Sequence, residues 1–140
     1  MGIKICGLFL HYAGRGINLQ HHRQCNEGSR RALGPGFQEL IYQRALAVEF
    51  RNRRITFARE QDMIVYYEGE EIGIRRVDFF VEGKIMVELK ALIKLDDLHM
   101  AQIVNYLEAY NLPIGLLINF GCKRLEYKRI YNSKHPENIV

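Results

Sequence analysis

The segment Ile85-Met86-Val87-Glu88-Leu89-Lys90-Ala91-Leu92 constrains what this chain can fold into more than any other. Apart from Glu88 and Lys90 it is wholly apolar, which no exposed edge strand needs, so a strand built from it belongs inside a sheet. Side chains alternate along a strand, so Glu88 and Lys90 share one face while Val87 and Leu89 point to the other. Buried charges persist only when paired or bound to a metal. The strand therefore calls for a neighbour that supplies the missing partner.

Asp78 is the first candidate. It lies on the run Ile72 to Glu82, which Gly83 separates from the run Lys84 to Leu92, and the turn between them decides where its carboxylate goes. An odd loop, Glu82-Gly83-Lys84, sets residue 78 opposite 88; a two-residue loop sets it opposite Val87. Spacing alone leaves another reading open, a solvated Asp78 beside a surface Glu88–Lys90 ion pair worth under about 1 kcal/mol. If the two carboxylates do share a face, they repel unless a hard cation sits between them. Mg²⁺ suits such a place, taking oxygens from one or two carboxylates and from substrate phosphate. A lysine alongside can hold or help deprotonate a water and offset charge building on phosphorus.

Around this pair the chain divides into recognisable elements. Phe37, Leu40, Ile41, Ala45 and Val48 recur at helical spacing after the turn Leu33-Gly34-Pro35-Gly36, which predicts a helix to about Arg53. Strand-like runs follow at Ile55 to Ala58, Met63 to Glu68 and Ile72 to Glu82, with Glu68-Gly69-Glu70-Glu71 as a polar turn. Asp96 or Asp97 can cap a second helix to about Tyr110, and Asn111-Leu112-Pro113 ends it. A buried strand is expected at Ile114 to Phe120 and an edge strand at Leu125 to Tyr131. Helix, strands, helix, strands, with no internal repeat, describes an α/β or α+β fold: one mixed sheet flanked by helices.

Composition bounds the rest. A chain of 140 residues is one domain's worth, and 48% hydrophobic with 26% charged residues excludes disorder and collagen-like repeats. No apolar run approaches the roughly 18 to 20 residues that cross a bilayer, so a soluble protein without a membrane partner is expected. Residues 1–33 carry Lys4, Arg15, Arg23, Arg30 and Arg31 against Glu27, which accounts for the whole net charge of +4. The body is neutral, so the charge gives little evidence of a basic binding face. Glycines interrupt this leader and no apolar period survives, so residues 1–33 are expected to form a poorly ordered basic leader, 34–131 the domain, and 132–140 a polar tail.

Cys6, Cys25 and Cys122 are too scattered for a disulfide framework, which favours a reducing cytoplasm. The apolar stretch Ile5 to Leu10 is too short for a signal peptide, and Cys6 stands where a myristoylation motif needs Ser or Thr. Cys6, His11, His21, His22 and Cys25 are zinc-ligand types without zinc-site spacing. Gly34-Pro35-Gly36 lacks the ending of a phosphate loop.

Asp78 followed after nine residues by Glu88-Leu89-Lys90 resembles the signature of the PD-(D/E)xK nuclease superfamily. Gly36-Phe37-Gln38-Glu39-Leu40-Ile41-Tyr42 matches the Gly-x-x-Glu-x-x-Tyr pattern that names the GxxExxY proteins, a small prokaryotic branch of it. The segments His99 to Leu107 and Gly115 to Gly121 are similar to the family's later ones, and together the likeness spans about Leu33 to Ile130. One departure lies upstream, where Asn26 to Ala32 replaces the family's opening helix.

The resemblance implies a restriction-endonuclease-like core and a Mg²⁺- or Mn²⁺-dependent nuclease hydrolysing phosphodiesters, DNA foremost, with little sequence specificity of its own. It implies Asp78 and Glu88 as principal metal ligands, Glu39 as a helix-borne carboxylate beside them, the backbone carbonyl of Leu89 as a further ligand, and Lys90 as the water-orienting base. Gln102, with His99 and Tyr106 on one helical stripe, could face the substrate. For Tyr106 a partly buried core aromatic is the plainer reading, for His99 a solvated or capping residue, and for Glu39 a charge on the helix's exposed edge. A homodimer or a protein partner would supply specificity. The competing function is an inactive nuclease-fold module that binds nucleic acid or a protein partner, and a third is a purely structural protein.

Overall fold

A computed structural model describes the backbone of residues 2–5, 8–13 and 16–21, and residues 36–52, 54–122 and 125–139 with their side chains. In the leader, β1 (Gly2–Ile5), β2 (Leu8–Ala13) and β3 (Gly16–His21) pair as an antiparallel meander. The leader's side chains, and with them the degree of order expected of residues 1–33, lie outside the described residues, as do Leu33 to Pro35 of the expected turn and Cys6, His22 and Cys25.

The domain is built on a five-stranded sheet. In chain order come α1 (Glu39–Asn52), β4 (Phe57–Tyr67), β5 (Glu70–Val81), β6 (Ile85–Lys90), α2 (Asp97–Ala109), β7 (Ile114–Asn119) and β8 (Glu126–Tyr131), and the strands lie side by side in that same order. Only β6 and β7 run parallel, because the α2 crossover joins them; hairpins and turns make the other pairs antiparallel. The mixed sheet flanked by helices is the fold class the sequence predicts.

Each helix covers one face of the sheet. Tyr42, Leu46, Ala47 and Phe50 of α1 pack on Phe79, Val81, Ile85, Val87 and Leu89, and Ile103 and Leu107 of α2 pack on Val77 and Met86. The odd and even residues of β6 thus serve opposite layers, as a central strand requires. Gly115 of β7 lets α2 settle, since a Cβ there would stand 2.6 Å from Ile103 Cγ2.

Two expectations are corrected. The runs at Ile55 to Ala58 and Met63 to Glu68 are one strand, β4, because the polar stretch Glu60 to Asp62 that suggested a break is exposed and needs no apolar partner. On α1 the buried stripe is Tyr42, Gln43, Leu46, Ala47 and Phe50, whereas Phe37, Leu40, Ile41 and Val48 are exposed among the described residues. Both stripes are apolar, so periodicity did not choose between them; the aromatic pair Tyr42 and Phe50 fills more core volume, and Tyr42 stacks on Phe120 with ring centroids 4.4 Å apart. The tail from Asn132 folds back: buried Asn132 donates to the Leu107 carbonyl at 3.2 Å, and Asn138 to that of Pro113 at 2.7 Å.

Candidate active site

The turn between β5 and β6 has the odd length. Val81 pairs with Ile85, Phe80 with Met86 and Phe79 with Val87, leaving Glu82, Gly83 and Lys84 as the loop and setting position 78 across from 88. Glu82 and Gly83 both take positive φ, 51° and 67°, which Gly83 adopts without a Cβ penalty. Beyond Phe79 the ladder opens, and the amide of Leu89 donates instead to Asp78 Oδ2 at 2.7 Å.

Asp78 also marks a reversal within β5. Residues two apart in a regular strand share a face, yet Val77 packs in the α2 layer and Phe79 in the α1 layer. Opposite this point in β4 stands Glu60, where the β4–β5 register skips a pair and φ is 53°. The combined irregularity acts as a bulge does, re-aiming one side chain at the point where strands part. Asp78 Oδ1 thereby meets Gln43 Nε2 of α1 at 2.8 Å. Glu39, one turn earlier on α1, lies within electrostatic reach of Asp78, Lys90 and Arg75.

Glu88 is the buried member, 3% exposed. Its Oε2 accepts from Arg75 Nη2 at 3.1 Å, while its Oε1 is buried with no hydrogen-bond partner. Burial first, and then the negative charge of Asp78, push its pKa up from the ordinary 4.5 to about 7; Arg75 and Lys90 pull the other way without prevailing. Glu39 is raised too, chiefly by burial. Lys90 is half-buried and makes no ion pair among the described residues, so its ammonium faces the carboxylates as a nearby free charge. Asn119, fully buried, fixes the chain just beyond it: Leu92 N–H donates to Asn119 Oδ1 at 2.9 Å, Asn119 Nδ2 donates to Leu92 O at 3.0 Å, and Phe120 N–H donates to Lys90 O at 2.8 Å.

The second helix contributes less than its stripe suggests. His99 closes a capping box with Asp96, each accepting from the other's backbone amide. Gln102 is exposed and makes no hydrogen bond to the cluster among the described residues. Tyr106 packs at the edge of the α2 layer and carries the Arg75 guanidinium over its ring, 5.2 Å from the centroid. Sequence reasoning missed Arg75 and Gln43. Gln43 left a signal, a polar residue one turn after Glu39 within an otherwise apolar buried stripe; Arg75 left none apart from its charge on a strand.

The donors suit a hard divalent cation. All are oxygens, Glu88 Oε1 is buried without a partner, and each Asp78 oxygen accepts a single hydrogen bond. Asp78 and Glu88 supply two carboxylates; among the described residues no three Asp, Glu, His or Cys side chains gather closely enough to hold an ion, so Glu39 is not drawn in as a third.

A sequence model of the PD-(D/E)XK nuclease superfamily matches residues 20–130, most of the chain. The chain belongs to that superfamily. The crystal structure of SSO0001 has a similar fold, with a TM-score of 0.53 at 19% identity over 66% of this chain. The chain spans about half the length of that one, 50%. No curated protein matches it. Among the described residues no helix is long and apolar enough to cross a membrane.

Proposed function

We propose that this protein is a Mg²⁺- or Mn²⁺-dependent nuclease that hydrolyses phosphodiesters of DNA with little sequence preference. The observation that carries the reading is Glu88, a carboxylate kept nearly wholly buried beside Asp78, with one oxygen left unpaired. A fold gains nothing from a half-satisfied buried acid, whereas a ligand site does, and strongly perturbed acids cluster at such sites. Asp78, Glu88 and the Leu89 carbonyl would hold the ion, which when bound would lower the pKa of the attacking water and screen charge developing on the phosphate.

The chain's own groups do the rest. Gln43 and the Leu89 amide fix Asp78 by one hydrogen bond to each oxygen, so its rotamer is set before any ligand arrives. Lys90, unpaired and held in place by the backbone bonds that follow it, can orient the water and donate to the phosphate oxygens. Cleavage of single- and double-stranded DNA and RNA, assayed with Mg²⁺ or Mn²⁺, tests this: wild type should cut DNA, and Lys90→Ala should lose at least about a hundredfold in rate. Wild-type protein that cuts none of the four would defeat the reading.

One observation favours a second reading, an inactive nucleic-acid-binding module: Arg75 already pairs with Glu88 where a cation would otherwise sit. Binding without cleavage in the same assay would select it.

A further inference from the structure

Two arginines stand side by side on β5 and are held differently. Arg76 grips Asp62 with two bonds, Nε to Oδ1 at 2.7 Å and Nη2 to Oδ2 at 3.0 Å. Arg75 makes one bond, to Glu88 Oε2 at 3.1 Å, although the fork of a guanidinium matches both oxygens of a carboxylate. Both members of this pair keep a buried atom without a partner, Arg75 Nε and Glu88 Oε1. The guanidinium is otherwise seated on the Tyr106 ring, and 32% of the side chain is open to solvent. A cation–π contact attracts the charge to the ring face without fixing the direction of its N–H groups, so the guanidinium can turn while it stays over Tyr106.

We propose that Arg75 is a substrate-contacting residue with two seats: it caps Glu88 while the site is empty, and turns on Tyr106 to a phosphodiester of the nucleic acid once Glu88 is engaged by a cation. The inference rests on the nuclease reading. Its chemistry is that of the pair itself. A divalent ion on Glu88 cancels the charge that holds Arg75, and a phosphate offers the two-oxygen acceptor that Glu88 does not fully provide. Arg75 sits in the same cluster, since Lys90, Asp78 and Glu39, the groups that would surround the phosphate, act electrostatically on the carboxylate that it caps.

The release can be imitated without metal. In EDTA, Glu88→Gln removes the charge that ties Arg75 down. Binding of labelled single-stranded and duplex DNA, read by fluorescence anisotropy, should tighten by about tenfold, as one added hydrogen bond to a charged group implies. Its logarithmic salt dependence should steepen by about 1. Arg75→Gln alone should not tighten binding, and Glu88→Gln with Arg75→Gln should lose the gain. A gain that survives in the double variant comes from removing a negative charge alone and overturns the proposal, as does the absence of any gain. Should the double variant not fold, Tyr106→Leu in the Glu88→Gln background serves in its place: the gain should shrink, and an undiminished gain overturns the second seat. DNA bound or cut with no such coupling sinks this inference only; a protein that neither binds nor cuts any nucleic acid sinks the functional reading with it.

Discussion

Glu88 ties the chemistry of the site to the stability of the fold. Its pKa is raised in the folded protein, so the folded state binds a proton that the unfolded chain gives up between pH 4.5 and about 7. Stability from this group is therefore full below 4.5 and is lost as pH rises through 7. At roughly 1.4 kcal/mol for each tenfold change in proton affinity, the loss is about 3 kcal/mol. Urea unfolding of the metal-free protein should show it: Glu88→Gln, a neutral mimic of the protonated acid, should gain about that much on wild type between pH 4 and pH 8. A difference that stays flat with pH would mean the carboxylate is better solvated than its burial implies.

Elements, more than single residues, decide what could be read in advance. The strand carrying Glu88 and Lys90 was legible because two charges in an apolar run need a reason to be buried together, whereas the position of Asp78 hung on a loop length that the sequence left open between two and three residues. Arg75 was not legible and Gln43 left only a polar position on α1, because the contacts of both depend on the reversal in β5 at Asp78, and that reversal needs Glu60 of a neighbouring strand in a left-handed conformation. Propensity does not announce such a residue. The exposed stripe of α1 misled for a simpler reason, since apolar residues on both sides of a helix leave its orientation to packing. Gly115 offers a test at this scale. Gly115→Ala puts a methyl group against Ile103, a stiff β-branched neighbour in a closed core, so α2 must move outward. A loss of about 1–3 kcal/mol in urea unfolding is expected; an unchanged midpoint would show that α2 rides more loosely than its packing suggests.

At the scale of the molecule, glycines interrupt residues 1–33 and no apolar period survives in them. We expect limited proteolysis to remove the leader and leave residues 34–140 folded, with a urea midpoint close to that of the intact chain. Unfolding on trimming would show that the leader completes the core. Metal should act on the whole domain as well, because an ion that binds only the folded state stabilises it. Thermal melts with Mg²⁺ or Mn²⁺ at a hundredfold over the dissociation constant should register about 2.7 kcal/mol, and Asp78→Ala should abolish the shift. No shift in wild type would remove the metal from the proposal.

The three-residue loop at Glu82-Gly83-Lys84 leaves the site open to a particular kind of damage. Most substitutions there would be absorbed, since Glu82 and Gly83 are exposed. Loss of one codon would not be. Mass, charge and hydropathy would barely change, and the hairpin could still close, but Asp78 would then stand across from Val87 and its carboxylate would face the wrong layer. What this protein has to preserve there is a number more than a residue: its chemistry tolerates misspelling in the turn better than miscounting.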